Sequence, residues 1–233
     1  MNQTIKRSPI HHAEEKWQGQ FIEQAGWQVV QLFSSVEQET AVGQNSVALC
    51  DQSHKGKIRV EGKTAGAMLD ADKLAINEGK ATNVGWLYRL RQDLFFVSSS
   101  AESVADTSAL SAVEVAVSLI QQANNSPDLI TVTDVTHGNA ELWLIGPHSA
   151  ELLSRLCGLD FHDSRFPNCT AKQSSVAKTT QLIIRCDLGK QPAYALIGPR
   201  SLAAYLWQTI LEAGQDLDIQ PIGVAALRPL TTA

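Results

Sequence analysis

The 233 residues are 44% apolar and 18% charged, with 19 Lys and Arg against 24 Asp and Glu, a net charge of −5. A chain of this size and balance buries one large core or two closely packed smaller ones, and its scattered basic residues lack the stripe that a nucleic-acid surface needs. No apolar run is long enough to span a bilayer, and the Met1 segment lacks the charged-then-apolar order of a signal peptide, which together predict a cytoplasmic protein. Cys50, Cys157, Cys169 and Cys186 form no C-x-x-C pair. Four unlinked, buried or half-buried thiols in a reducing compartment fit that spacing better than a metal or redox site.

In chain order, residues 13–17 read as a short helix ahead of a strand at 26–32. Ser34 and Ser35 then offer an N-cap followed by Glu37 and Glu39, which starts a helix running to about Asn45. Strands at 47–50 and 57–60 flank the polar turn Asp51-Gln-Ser-His-Lys-Gly56. Residues 84–90 and 94–97 form a hairpin around Arg91-Gln-Asp93. From Ser108 to Ala123 the apolar positions Leu110, Val113, Val117 and Ile120 follow a helical period, which Asn124-Asn-Ser-Pro-Asp128 ends with a linker or domain crossing. Residues 129–135 read as a strand that turns at 136–139 into a second hairpin with 140–145. Beyond the polar loop at 161–168, a strand at 181–186 pairs across 187–192 with the next strand, and 219–224 closes the sheet as an edge strand because Pro221 cannot donate to a central ladder.

One unit is written twice, at 140–156 and 193–207: a short apolar run, Gly-Pro, then apolar residues at helical spacing. Gly146 or Gly198 breaks the strand, and Pro147 or Pro199 reads as a first-turn residue whose missing N–H goes unneeded. A weaker copy runs from Lys57 to Leu69 with its break at Gly62. Such alternation predicts an α+β plait with antiparallel and mixed sheets, in two intertwined, plait-like subdomains at 1–125 and 126–233.

These segments resemble the aminomethyltransferase superfamily of folate proteins, the glycine-cleavage T-proteins. The likeness rests on Ala25-Gly26-Trp27, on Asp51-Gln-Ser-His-Lys-Gly-Lys-Ile58, and on Thr133-Asp134-Val135 ahead of a Gly-Pro helix, and it spans nearly the whole chain. Within that superfamily the chain most resembles the gamma subunit of heterotetrameric sarcosine oxidase, through Arg155-Leu-Cys-Gly-Leu-Asp-Phe-His162, Phe166-Pro167 and Tyr205-Leu-Trp207. The resemblance implies a T-protein-like fold without the C-terminal barrel of full T-proteins. It also implies tetrahydrofolate as the ligand, and flavin and NAD carried by larger partner subunits.

The chain departs from that pattern at two points. T-proteins carry a catalytic aspartate ahead of the strand that resembles Tyr88-Arg89-Leu90, whereas residues 82–87 here hold no acid. T-proteins also clamp the pterin with a glutamate on a turn that here reads Asp187-Leu-Gly-Lys-Gln-Pro192. The Lys-Gly-Cys signature of the iron–sulfur-assembly folate proteins is absent, since Gly79-Lys80-Ala81 has no cysteine. No catalytic residue is therefore assigned. The resemblance implies an accessory subunit of a sarcosine oxidase that contributes docking surface; a stand-alone tetrahydrofolate-dependent aminomethyltransferase and a folate-fold scaffolding module of another complex are the alternatives.

Asp51, Ser53, His54, Lys55, Tyr88, Arg89 and Arg185 are the candidate cofactor-binding residues. The first four share one turn and can present an anion-binding or carboxylate-orienting cluster. The competing reading is an Asx turn with His54 and Lys55 in solvent. Arg89 and Arg91, two positions apart, can share a face toward a polyglutamyl tail or an acidic partner, while Arg185 and Arg200 read as structural ion pairs. His11, His12, His137, His148 and His162 show no metal-ligand spacing and read as surface residues. Ser149 and Ser201 lack a nucleophile elbow. Trp17, Trp27, Trp86, Trp143 and Trp207 read as core or interface anchors.

Overall fold

The computed structural model describes residues 4–83, 85–99 and 112–232. By internal contact the chain divides into one unit of Met1–His54, Asn139–Asn168 and Gln173–Ala233 and another of Lys55–Gly138 and Cys169–Lys172. The expected boundary at 125/126 divides the chain by sequence; the compact units interleave along it.

The first unit opens with β1 (Lys6–Arg7), α1 (His11–Lys16), β2 (Gln20–Gln24) and β3 (Trp27–Leu32), where β3 lies between a parallel β1 and an antiparallel β2. β1 and β2 are short and largely polar, so apolar alternation predicts β3 alone. In α2 (Val36–Asn45) the Ser35 hydroxyl accepts the Gln38 N–H at 3.3 Å, the predicted cap, and the helix ends at the predicted residue. Glu39 is buried and accepts N–H bonds from Phe33 at 2.6 Å, Ser34 at 2.7 Å and Gly223 at 2.7 Å, which ties the loop before α2 to the chain's end. β4 (Ala48–Asp51) follows.

The second unit contains β5 (Lys57–Gly62), α3 (Ala65–Met68), β6 (Gly79–Thr82), β7 (Gly85–Arg89), β8 (Leu94–Ser99), α4 (Ala112–Asn124) and β9 (Ile130–Asp134). Its five-stranded sheet runs β6-β7-β8-β5-β9 with every neighbour antiparallel. The β7–β8 hairpin and the strand-to-helix step from β5 to α3 match the sequence reading. Ile58, Val60, Leu87, Phe95 and Val97 form one sheet face and pack on Val115, Ala116 and Leu119 of α4. The apolar stripe read from the sequence is out of phase with this packing: Val113, Val117 and Ile120 are 60%, 47% and 43% exposed. Leu110 lies outside the described residues. Because α4 is apolar on nearly every side, periodicity alone does not select its buried face.

β10 (Asn139–Ile145) returns the chain to the first unit, followed by α5 (Ser149–Leu156), β11 (Ala171–Val176), β12 (Thr179–Arg185), β13 (Ala193–Pro199), α6 (Ala203–Ala213), β14 (Gln220–Ile222) and α7 (Leu227–Thr232). The six-stranded sheet runs β11-β12-β13-β10-β4-β14, with β14 the predicted edge strand, parallel to β4. The hairpin expected of β9 and β10 does not form. β9 pairs with β5, while β10 pairs with β13 and β4, and a 3-10 turn at Thr136–Gly138 carries the chain from one sheet to the other.

The two written repeats are β10–α5 and β13–α6, and their strands are antiparallel partners along their whole length. Leu142, Leu144, Leu49 and Leu196 of this sheet pack against Leu152, Leu153, Leu206, Trp207 and Ile210 of the two helices. Gly146 has φ +123°, and a Cβ there would stand 2.3 Å from the Ser46 carbonyl oxygen. Gly198 lies under the Gln181 side chain, which a Cβ would overlap at 2.2 Å. The prolines sit earlier than a first helical turn: α5 begins two residues after Pro147, and a 3-10 turn at Arg200–Leu202 separates Pro199 from α6. Trp27, Trp143 and Trp207 are buried, whereas Trp17 is exposed.

Candidate functional site

The turn after β4 is built from the strand outward. Asp51 continues the face that carries Val47 and Leu49, at the point where α1 packs on the sheet through Ile10 and Ala13. Its Oδ1 accepts the Ser53 N–H at 2.9 Å and the Ser53 hydroxyl at 2.5 Å, which is the Asx turn the sequence allows. The Gln52 N–H bonds the Glu141 carbonyl at 2.8 Å and the Glu141 N–H bonds Ser53 Oγ at 3.0 Å, so the turn extends the β4–β10 ladder. Gln52, Ser53 and His54 are all buried. The expectation of a solvated His54 is thus corrected, because the ladder draws the turn inward. Lys55 is half-buried and its carbonyl accepts the ammonium of the fully buried Lys57 at 2.7 Å.

Beneath this turn stands Glu14, which the sequence reading placed in a short helix and gave no role. It is 2% exposed, and burial, together with the Asp51 carboxyl beside it, pushes its own carboxyl up to about 9. The signal available was its spacing: Ile10, Ala13 and Glu14 share the buried side of a one-and-a-half-turn helix. Beside Asp51, the Cys50 thiol is buried, bonded by Gln52 Nε2 at 3.2 Å, and raised well above the ordinary thiol range by burial. Glu141, the one acid in an otherwise apolar strand, is buried and accepts the Trp143 indole N–H at 2.6 Å.

The remaining candidates are engaged elsewhere. Arg185 bonds Asp163 Oδ1 at 2.6 Å, the Phe166 carbonyl at 2.8 Å and both Asp187 oxygens at 2.9 and 3.1 Å, with its guanidinium 5.7 Å from the Tyr194 ring centroid. Burial works against its charge, but the Asp187 and Asp163 hydrogen bonds prevail and raise it further above the ordinary arginine range. In the second unit Tyr88 is buried over Gly79 and stacked with Trp86. Arg89 donates to the carbonyls of Asp72 at 3.0 Å, Leu74 at 2.8 Å and Gln92 at 2.9 Å, while Arg91 pairs with Glu61 at 2.7 Å. That arginine pair therefore braces loops and does not present a shared cationic face, because β7 ends at Arg89 and the strand period stops there.

Arg200 bonds the Arg7 carbonyl at 2.8 Å in place of an acid. His12, His137, His148 and His162 are exposed as expected, but His11 is buried against Phe21, and burial lowers its pKa. The four cysteines form no disulfide, and two of them are buried and two half-buried. Among the described residues no group of three His, Cys, Asp or Glu side chains is arranged to hold a metal ion, and no helix is long and apolar enough to cross a membrane.

Two strand–Gly-Pro–helix units on one mixed sheet, with an Asp-x-Ser-His turn at its strand end, define a T-protein-like α/β protein. The chain belongs to the GCVT N-terminal domain family, whose model matches residues 10–232. It is 24% identical to an aminomethyltransferase of Thermoanaerobacter sp. (strain X514) over 95% of this chain and 62% of that protein. It is 25% identical to the sarcosine oxidase subunit alpha of Rhizobium meliloti (strain 1021) over 98% of this chain and 25% of that protein. Among solved structures it is similar to the glycine cleavage system aminomethyltransferase T of Bartonella henselae, with a TM-score of 0.80, 21% identity, and coverage of 97% of this chain and 62% of the other. A chain of the heterotetrameric sarcosine oxidase of Corynebacterium sp. U-96 matches with a TM-score of 0.63 and 18% identity, over 91% of this chain and 96% of that one. The chain thus spans about three fifths of the length of the aminomethyltransferases it matches.

Proposed function

We propose that this protein is a folate-fold accessory subunit of a sarcosine oxidase, of the gamma type, working in the cytoplasm. In this reading larger partner chains carry the flavin, the NAD and the amine site, oxidise sarcosine and pass its one-carbon unit to tetrahydrofolate. The Asp51–Ser53 turn, with His54 and Lys55, is the segment that would meet a pterin or its acidic tail. The observation that carries the non-catalytic part of the reading is the state of Asp187. It is the only acid in the turn where the resemblance calls for a pterin-clamping glutamate, and its oxygens already hold Arg185 and the Ala193 N–H at 3.2 Å. A carboxylate so engaged has no lone pairs arranged for paired N–H donors of a ligand. The absence of any acid at 82–87 supports the same reading. The likeness to sarcosine oxidase chains in both sequence and structure supports the choice of complex.

The test is affinity purification of the tagged native protein, with absorbance scanned for flavin and co-purifying chains identified by mass. A yellow complex that makes peroxide when given sarcosine is the expected result. A colourless monomer that binds tetrahydrofolate by calorimetry overturns it in favour of a stand-alone folate protein. A colourless complex with other chains overturns it in favour of a scaffolding module.

A further inference from the structure

Of the strands that end a sheet, β9 is the one left without protection among the described residues. β14 carries Pro221, β11 and β6 carry Lys172 and Lys80, β2 is bulged at Gln20 and Phe21, and β1 is two residues long. β9, with the sequence Ile-Thr-Val-Thr-Asp, has no proline, lysine or bulge. At its end the Val135 N–H donates to the Lys57 carbonyl at 2.8 Å, and alternation from that bond turns the backbone groups of Thr131 and Thr133 to β5. The N–H and C=O groups of Ile130, Val132 and Asp134 therefore point away from β5, where no described strand meets them. Leu129, just before the strand, is 85% exposed.

Helix α4 extends the same open side. Val115, Ala116, Leu119 and Ala123 pack it on the sheet, and Val113, Val117 and Ile120, at 60%, 47% and 43% exposure, lie about a third of a turn round the helix from them. β8 and β9 are both antiparallel to β5 and so parallel to each other, and the right-handed crossover that joins such strands puts this apolar stripe on the outer, β9 side of α4. Apolar side chains thus stand beside a row of open backbone groups, which is the form of a strand-addition site. The charges around it are mostly acidic: Glu114, Asp128 and Asp134 are exposed, whereas Arg59 of β5 is paired with Glu61 at 3.4 Å and Lys63 stands just past that strand. We propose that this side receives an extended segment of a larger partner chain, with apolar residues toward α4 and Lys or Arg at its ends, which adds to β9 as a further strand of the five-stranded sheet. A second copy of this chain fits less well, because its own β9 would bring the same acids to the pairing. The identity of the partner rests on the reading proposed above; the surface and its chemistry do not.

The experiment reads amide hydrogen exchange, residue by residue, in the full-length chain alone and in the complex purified with it. The expected result is that the amides of Ile130, Val132 and Asp134 exchange freely in the chain alone and become protected in the complex, while those of β6, at the other end of the same sheet, do not change. Val117→Gln and Asp128→Lys should each weaken the complex about tenfold, with the thermal midpoint of the chain alone unchanged. Ile76→Gln, which alters a side chain 54% exposed shortly before β6, should leave the complex as it is. A β9 that exchanges alike in both states, a Val117→Gln chain that binds as tightly as the wild type, or a chain that recovers no partner overturns the proposal. Protection of β9 that grows with the concentration of the chain alone assigns the face to a second copy and overturns it too. A yellow complex in which β9 stays open would end this proposal and leave the sarcosine oxidase reading standing; a colourless complex that protects β9 would do the reverse.

Discussion

Glu14 and Arg185 show how the same interior treats an acid set beside another acid and a cation held by carboxylates. Glu14 carries its proton into the folded state, with its pKa moved from 4.5 to about 9. The folded chain then binds more protons than the unfolded chain between those values, so the stabilising contribution is complete below pH 4.5 and is lost as pH rises to about 9. The slope is about 1.4 kcal/mol per pH unit for one proton. His11 acts in the opposite sense, since its lowered pKa reduces stability only as pH falls through 6.5. Urea unfolding between pH 6.5 and 8.5 should therefore show the wild type losing stability with pH relative to Glu14→Gln; parallel curves for the two proteins would refute the buried proton. Arg185, by contrast, is satisfied by two carboxylates, a carbonyl and an aromatic face. Truncating it to Ala leaves Asp187 half-buried without its partner and should cost about 3 kcal/mol by the same measurement. Lysine should restore little, since one ammonium cannot reproduce a fork that reaches three acceptors.

At the scale of elements, the repeated strands and helices were legible because each carries its own punctuation: Gly146, at φ +123°, stands where the Ser46 carbonyl leaves no room for a Cβ, and Gly198 lies under the Gln181 side chain. The Ser35 cap and the β7–β8 hairpin are likewise written locally. What escaped was decided at long range. β6 and β11, with sequences Gly-Lys-Ala-Thr and Ala-Lys-Gln-Ser-Ser-Val, are polar edge strands that exist because a neighbour offers a ladder, not because they alternate. β9 and β10 follow each other as a hairpin would, yet join different sheets. In the site, Asp51 and Ser53 were readable as an Asx turn, while the signal for Glu14 was its spacing with Ile10 and Ala13, in a helix too short to establish a period. The buried phase of α4 belongs to the same class and is open to a direct check. Leu119→Ala should destabilise by about 2–5 kcal/mol, and Val117→Gln on the opposite side should change stability by no more than about 0.5 kcal/mol. Equal losses from both would mean that Val117 is covered in solution.

For the whole molecule, the order of strands in the sheets governs which pieces of chain can exist apart. β4 lies between β10 and β14, and all of its ladder partners come from beyond residue 138. β5 lies between β8 and β9, so half of its pairing comes from beyond residue 129. A cut at 125/126 strips both sheets of a neighbour at once and leaves β4 with two unpaired edges inside a core built on Leu49, Leu142 and Leu196. Exposed edges and half-built apolar faces of that kind aggregate. Residues 1–125 expressed alone should therefore be insoluble or lack a cooperative thermal transition by circular dichroism, and co-expression with 126–233 should restore both. The piece 55–138 should behave differently, because every pairing of its five-stranded sheet and the whole cluster from Ile58 to Ile130 lie within it. Among the described residues it loses the Glu78–Thr170 bridge and the bonds of Gly79 to Cys169 and of Ala171 to Asn77 at the β6 edge. A cooperative transition from 1–125 alone, or none from 55–138, would show that the contact-defined units are not the folding units of this chain.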